Sequence, residues 1–270
     1  MTTPEASCIE VVARDRRALV WRGRLPHGRA PQTVLHDHGW EPIGLPEVAR
    51  AEPGRLVLSY AVRPRVEVSE PAGVEAFAVA SAHPTDSAHP ADSVHPADPV
   101  RPADSVRPAR PYGVDAEPPR PGERAEQVQR VGAYAVVWSQ AGLLATQFSE
   151  VTRAAGAWGL PGGGVEPHED PVEAVARECW EETGQRVDVG RLLEVTSRHW
   201  VGRAPSGRLE DFHAVALVYA GTCESPTSPQ VHDVGGTTAA AAWVPQGEVA
   251  GWPWVPHHAW VTRTIPDRPS

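Results

Sequence analysis

The chain has 270 residues, 41% of them hydrophobic, and a net charge of −9. That length supports one or two globular domains, and the negative balance argues against general affinity for nucleic-acid backbone or an anionic membrane. All 25 basic residues are arginine, so any fixed positive charge that grips a phosphate here is a guanidinium.

The three cysteines, Cys8, Cys179 and Cys223, form no CxxC pair and give neither a zinc spacing nor a disulfide framework. No apolar h-region opens the chain and no apolar run of about 18 residues occurs, so a cytoplasmic protein is expected. Residues 1–80 hold short strand-like runs at 9–13, 17–21 and 55–62, with Pro- and Gly-bearing turns at 25–28, 41–46 and 52–54. They read as a small β-rich or partly disordered segment to which the residues assign no function. His36-Asp37-His38 alternates like a metal site but supplies too few ligands, and reads as a solvated turn.

Residues 81–110 repeat with a period of six: SAHPTD, SAHPAD, SVHPAD, PVRPAD, SVRPAR. A proline in every unit blocks sheet hydrogen bonding and favours extended backbone, while the low apolar content cannot offset the entropy of ordering. Residues 81–125 are therefore expected to be a disordered linker. The column His83, His89 and His95 follows from duplication of the unit.

From residue 126 the composition turns globular, and 126–265 is expected to be one domain. Residues 130–138 and 143–148 flank Ser139-Gln140-Ala141-Gly142 as a hairpin would. Trp158-Gly159-Leu160-Pro161 leads into Gly162, Gly163 and Gly164. A helix is predicted next, with Asp170 as N-cap, Pro171 in the first turn and Gly184 as the stop. Val172, Val175, Ala176, Cys179 and Thr183 form its apolar stripe, so Cys179 is expected to be a buried free thiol. Glu178, Glu181 and Glu182 fall at i, i+3 and i+4 on one face. Like charges so placed repel, and a chain that keeps them calls for a cation; all-oxygen ligands suit a hard ion such as magnesium. Strands are expected at 187–199, 211–221 and 239–244, the second central because both its faces are apolar. The tail 252–265 carries Trp252, Trp254 and Trp260, with Pro256 placed to start a short helix.

Gly163, Glu169, Arg177-Glu178-Cys179, Glu181-Glu182 and Gly184 stand at the spacing Gx5Ex7REUxEExGU, where U is bulky and apolar. This resembles the Nudix box, with all seven fixed identities present. Gln185 departs from the apolar final position, and its effect should fall on packing. The resemblance implies an α/β/α sandwich around a mixed sheet, and hydrolysis of a nucleoside diphosphate linked to another moiety with Mg2+ or Mn2+. It implies Glu178, Glu181 and Glu182 as metal ligands, joined by the main-chain carbonyl of Gly162. Glu169 pairs with Arg177 in support.

The general base is expected outside the box, at Asp233, with Glu210 and Asp211 behind it. Arg153, Arg198, Arg203 and Arg208 are candidates to hold substrate phosphates, and Trp200 and His213 to line a base pocket. The implied partner is a small nucleotide-type substrate, without nucleic acid or membrane; a homodimer is compatible with the resemblance. The alternative is a catalytically weak ligand-binding or regulatory module on the same fold. Retention of every box glutamate counts against it.

Overall fold

The computed structural model describes residues 8–52, 55–65, 120, 122–152, 154–204, 207–233 and 235–263. The hexapeptide repeat and Arg153 lie outside these residues. Those described belong to one compact unit built on two sheets.

The first sheet comes from the N-terminal residues. Its strands are β1 (Cys8–Asp15), β2 (Ala18–Arg24), β3 (Trp40–Pro42), β4 (Glu47–Glu52) and β5 (Arg55–Pro64), with one short helix, α1 (Pro31–Asp37), between β2 and β3. Strand β1 lies between antiparallel β2 and parallel β5. Five successive residues from Ile9 to Ala13 are buried, as a strand covered on both faces requires. Glu10 is the polar member of that run, and Arg22 pairs with it. Strand β5 alternates, with Leu56, Leu58, Tyr60 and Val62 inward. Strand β3 overlaps a turn read in the sequence at 41–46, and β4 falls in the stretch between that turn and the one at 52–54, where no strand is expected. Both pair only with β5, and a short edge strand tolerates the proline that ends β3.

The second sheet has seven strands: β6 (Glu126–Ser139), β7 (Gly142–Phe148), β8 (Trp158–Gly159), β9 (Gly162–Gly164), β10 (Asp188–Arg203), β11 (Leu209–Thr222) and β12 (Thr238–Val244). The order is β10-β11-β6-β7-β12, with β8 on β7 and β9 on β6. Strand β11 runs parallel to β6 and antiparallel to β10, so the sheet is mixed and β11 is central. The β6–β7 hairpin pairs only at its tip, Trp138 with Leu143 and Ser139 with Gly142. Lower down, β9 takes the free edge of β6, with Gly162, Gly163 and Gly164 opposite Tyr134, Ala133 and Gly132. This inserts the glycine segment into the sheet beside helix α2 (Pro171–Thr183).

The two faces of the second sheet have different covers. On one, Val131, Ala133, Ala135 and Val137 of β6 and Val215 and Leu217 of β11 join Ala174, Val175 and Cys179 of α2. The same buried cluster continues into Ile9, Val11, Leu35, Leu58 and Tyr60, so the N-terminal sheet and α2 share one apolar core. On the other face, Val136, Leu143 and Val218 pack under the tail through Val249 and Val261, with Trp252, Trp254 and Trp260 around them. The tail forms short 3-10 turns at Gln246–Gly251 and, just after Pro256, at Ala259–Arg263. The result is the α/β architecture expected of the sequence, with a mixed sheet as its middle layer. No helix among the described residues is long and apolar enough to cross a membrane.

Candidate active site

Helix α2 starts and stops where its own residues dictate. The Asp170 side chain accepts the Val172 amide at 2.9 Å, and Glu173 accepts the Asp170 amide at 3.0 Å, closing a capping box. Gly184 ends the helix at φ +68, a left-handed position that glycine adopts without a Cβ penalty. The exposed carbonyls of the last turn are met by a distant loop. The amides of His232 and Asp233 both donate to the Glu181 carbonyl, and that of Gln230 to the Thr183 carbonyl. Gln185 is buried and holds the same loop: its Nε2 donates to Thr227 Oγ1 at 3.0 Å and its Oε1 accepts the Thr227 amide at 2.9 Å. A polar residue fits this usually apolar position because its amide group is hydrogen-bonded.

The buried face is rotated from the stripe read in the sequence. Val172 and Ala176 are exposed; Ala174, Val175, Cys179, Glu182 and Thr183 are buried. The cause is Glu182, which is only 7% exposed. Its Oε2 accepts the Gly162 amide at 3.0 Å and its Oε1 accepts the Thr238 hydroxyl. These bonds draw a carboxylate inside, and the helix turns with it. Burial pushes the Glu182 carboxyl up to about 7, with the charges of Glu178 and Asp233 adding to the rise and the two hydrogen bonds opposing it. Burial also raises Glu178, against the pull of Arg177.

Arg177 ties the remaining carboxylates together. Its Nε and Nη2 bind Glu169 through both oxygens, at 2.7 and 2.9 Å. Its Nη1 reaches Glu178 Oε1 and Glu181 Oε2, each at 3.0 Å, and Nη2 reaches the Gly164 carbonyl at 3.1 Å. The fork of hydrogen bonds from Arg177 holds Glu169 below the usual carboxylate range.

The glycines are fitted to this cluster. A Cβ on Gly163 would lie 2.5 Å from Glu178 Oε1. One on Gly162, whose φ is +138, would lie 2.3 Å from the Ala133 carbonyl oxygen. One buried and one half-buried carboxylate that resist ionisation, two more held by one arginine and a glycine floor make a donor set suited to a hard divalent cation. The carboxylates on this helix face that could serve such an ion are Glu178, Glu181 and Glu182.

The other candidates from the sequence are dispersed. Asp233 stands on the loop that caps α2, and a Cβ on Gly236 would collide with its carboxylate. Glu210 is bound by Arg208, and Asp211 by His27 and His199. Arg203 is bound through both nitrogens by Glu123, at 2.9 and 2.8 Å. Arg198 lies over the Trp200 ring, 5.4 Å from its centre. His213 is buried between Gln129 and Ser197, both at 2.8 Å.

Two residues at the site carry no local signal. Thr238 is 56 positions from Glu182. Arg50, on β4 of the N-terminal sheet, donates to the Glu166 carbonyl at 3.0 Å and to that of Pro167, bracing the segment between the glycines and Glu169. A cavity of about 690 Å3 opens beside Trp180, Arg186, Asp188, Glu224, Thr227 and His232. Trp180 is two residues from both Glu178 and Glu182, about 200° around the helix, so this cavity lies behind the carboxylates.

A family profile described as NUDIX domain matches residues 128–265. Diphosphoinositol polyphosphate phosphohydrolase 2 of Rattus norvegicus is 55% identical over 38 residues, which is 14% of this chain and 21% of that protein. A MutT-like protein of Streptomyces ambofaciens is 58% identical over 40 residues, 15% of this chain and 26% of its own. The chain thus spans about a fifth to a quarter of the curated relatives it matches. Among solved structures, the MutT protein of Methanosarcina mazei Go1 is 26% identical over 50% of this chain and 90% of its own, with a TM-score of 0.39.

Proposed function

The chain belongs to the NUDIX domain family, and from that premise we propose that it is a divalent-metal-dependent pyrophosphohydrolase acting on a nucleoside diphosphate linked to another moiety. The observation that carries this reading is that Glu178 and Glu182 both meet the Gly162–Gly164 floor, that Arg177 joins Glu181 to Glu178, and that burial raises two of these three carboxyls. A bound Mg2+ or Mn2+ would lower the pKa of water and offset charge on phosphate oxygens.

The protein's own groups set the stage for that chemistry. Arg177 fixes three carboxylates with one planar guanidinium and takes its direction from Glu169. Thr238 and the Gly162 amide hold Glu182 in one orientation, so its ionised form needs no rearrangement to serve as a ligand. Asp233, presented by the loop that caps α2, is assigned as the general base that takes a proton from the attacking water. The Gly162 carbonyl remains a candidate ligand, because only glycine permits the backbone so close to β6. Arg198, Arg203 and Arg208 remain the described candidates to bind substrate phosphate.

The test is a screen of phosphoanhydride substrates: dinucleotides, nucleotide sugars, nucleoside triphosphates and an inositol pyrophosphate. Release of monophosphate or phosphate is followed with Mg2+, with Mn2+ and with chelator, for wild type and Glu182→Gln. Turnover that requires the metal and falls at least about 1,000-fold in the variant is expected. Full rate in chelator, full rate in the variant, or turnover of none of the panel overturns the proposal.

A further inference from the structure

Outside α2, a second group of ligand-type side chains meets where the N-terminal module packs on β10 and β11. His27 sits in a turn closed by the Arg29 amide on the Pro26 carbonyl at 3.2 Å. Gly28 follows at φ +73, the positive value that the third position of a type II turn requires. A Cβ there would lie 3.3 Å from the His199 ring, so the turn rests directly on that imidazole.

His27 Nε2 is 3.3 Å from Asp211 Oδ1, and His199 Nε2 contacts the same oxygen. The ligand atoms of all three residues lie within 4.8 Å of one another. His27 Nε2 is buried and makes no geometrically sound hydrogen bond, its ion-pair contact with Asp211 aside.

The surroundings orient the three groups. Gln127, opposite Asp211 in the β6–β11 register, places its Nε2 3.5 Å from the other carboxylate oxygen. His213 packs edge-on against His27, with ring centres 5.4 Å apart, and against His199 at 6.5 Å. Both His213 nitrogens are engaged by Gln129 and Ser197, so it walls the cluster without being available as a ligand. Burial pushes Asp211 up, but its contacts with His199 and His27 outweigh this and leave the carboxyl below its usual range. Holding one carboxylate in an ion pair takes a single histidine. Here two imidazoles from distant parts of the chain aim the same nitrogen at one oxygen.

We propose that His27, His199 and Asp211 form a transition-metal site, separate from the α2 carboxylates, that takes Zn2+ and clips the N-terminal module to β10 and β11. Two imidazoles and a carboxylate select zinc over magnesium, the reverse of the all-oxygen set on α2. Three protein ligands leave a fourth position, and the His199 side chain, 41% exposed, opens it to water.

The experiment uses the untagged full-length chain carrying His83→Gln, His89→Gln and His95→Gln, which removes the histidines of the repeat as competing ligands. The protein is stripped with chelator and held in excess Mg2+. Zn2+ is titrated by calorimetry and Co2+ by visible absorption. One equivalent of each is expected, with the intense spectrum of four-coordinate cobalt. His27→Gln and His199→Gln should each weaken binding at least about 100-fold, and Gln127→Leu about tenfold. Glu182→Gln should leave it unchanged. Zinc at a hundredfold excess over its Kd should raise Tm by about 5–10 °C in the parent but not in His199→Gln. His199 is partly exposed, and the zinc-free melt of that variant shows whether it folds. Absence of a stoichiometric site, binding as tight as the parent's in either histidine variant, or loss of binding in Glu182→Gln overturns the proposal.

Discussion

The carboxylates of α2 and the His27–His199–Asp211 cluster gather charged side chains in opposite ways. The first is nearly contiguous: Glu178, Glu181 and Glu182 share one helix face, and Glu169 and Arg177 lie within the same stretch of chain. The second joins residues 27, 199 and 211, and exists only because one turn of the N-terminal module lies on β10 and β11. A helix supplies fixed spacing from its own geometry, whereas a sheet and a distant turn supply it through the whole fold. The first cluster should therefore survive damage to the N-terminal module better than the second.

Several measurements break or sharpen this contrast. The largest effect concerns a role at the helix site that lies outside the contiguous stretch. Asp233→Asn should lower kcat by about 100-fold or more with KM within about threefold. An unchanged kcat would sink the assignment of the base.

Backbone fit at the glycine floor comes next. Gly162→Ala should cost about 3 kcal/mol or more in urea unfolding, because the new methyl meets backbone at 2.3 Å under a positive φ. Gly164→Ala, with nothing within 4 Å, should stay within about 0.5 kcal/mol of wild type. Equal losses would mean that the floor is not what fixes β9.

Metal-free stability should also fall with rising pH. Burial lifts Glu182 from 4.5 to about 7, so the folded chain keeps a proton that the unfolded chain releases. Its contribution is fully present below pH 4.5 and is lost as pH rises through 7, a change of about 3 kcal/mol. Glu178, also raised, has the same sign, while Glu169, lowered, loses its contribution only as pH falls below its ordinary range. Urea midpoints in chelator should drop across this window for wild type and much less for Glu182→Gln.

A smaller loss is expected at the guanidinium hub. Arg177→Lys keeps the charge but not the fork that holds Glu169, and should weaken Mg2+ activation on the order of tenfold. The smallest effect tests the independence of the two clusters. His199→Gln should change hydrolysis by less than about twofold, and its effect on stability should add to that of Glu182→Gln within about 0.5 kcal/mol, since they share no bonding partner.

Much of the helix site is legible in the sequence because its signals are local. Asp170, Pro171 and Gly184 mark the ends of α2 within a residue, since caps depend on immediate neighbours. The rotation of the buried face is not legible: it depends on Thr238 and the Gly162 amide reaching Glu182 from other strands. Strands β3 and β4 escape notice for the same reason. They are held by pairing with β5, and their own residues, rich in Pro and Glu, carry little strand preference. The bracing of the Glu166–Pro167 segment by Arg50 crosses from one sheet to the other and leaves no trace in spacing.

The sequence by itself determines the helix, its caps and the carboxylate face, because a 3.6-residue period converts spacing into direction without help from the rest of the chain. Only the tertiary structure decides that Glu182 is buried, that Arg203 is spent on Glu123, and that His27 meets His199 and Asp211. Each of these depends on contacts between residues far apart in the chain, whose geometry is set by the packing of one shared core.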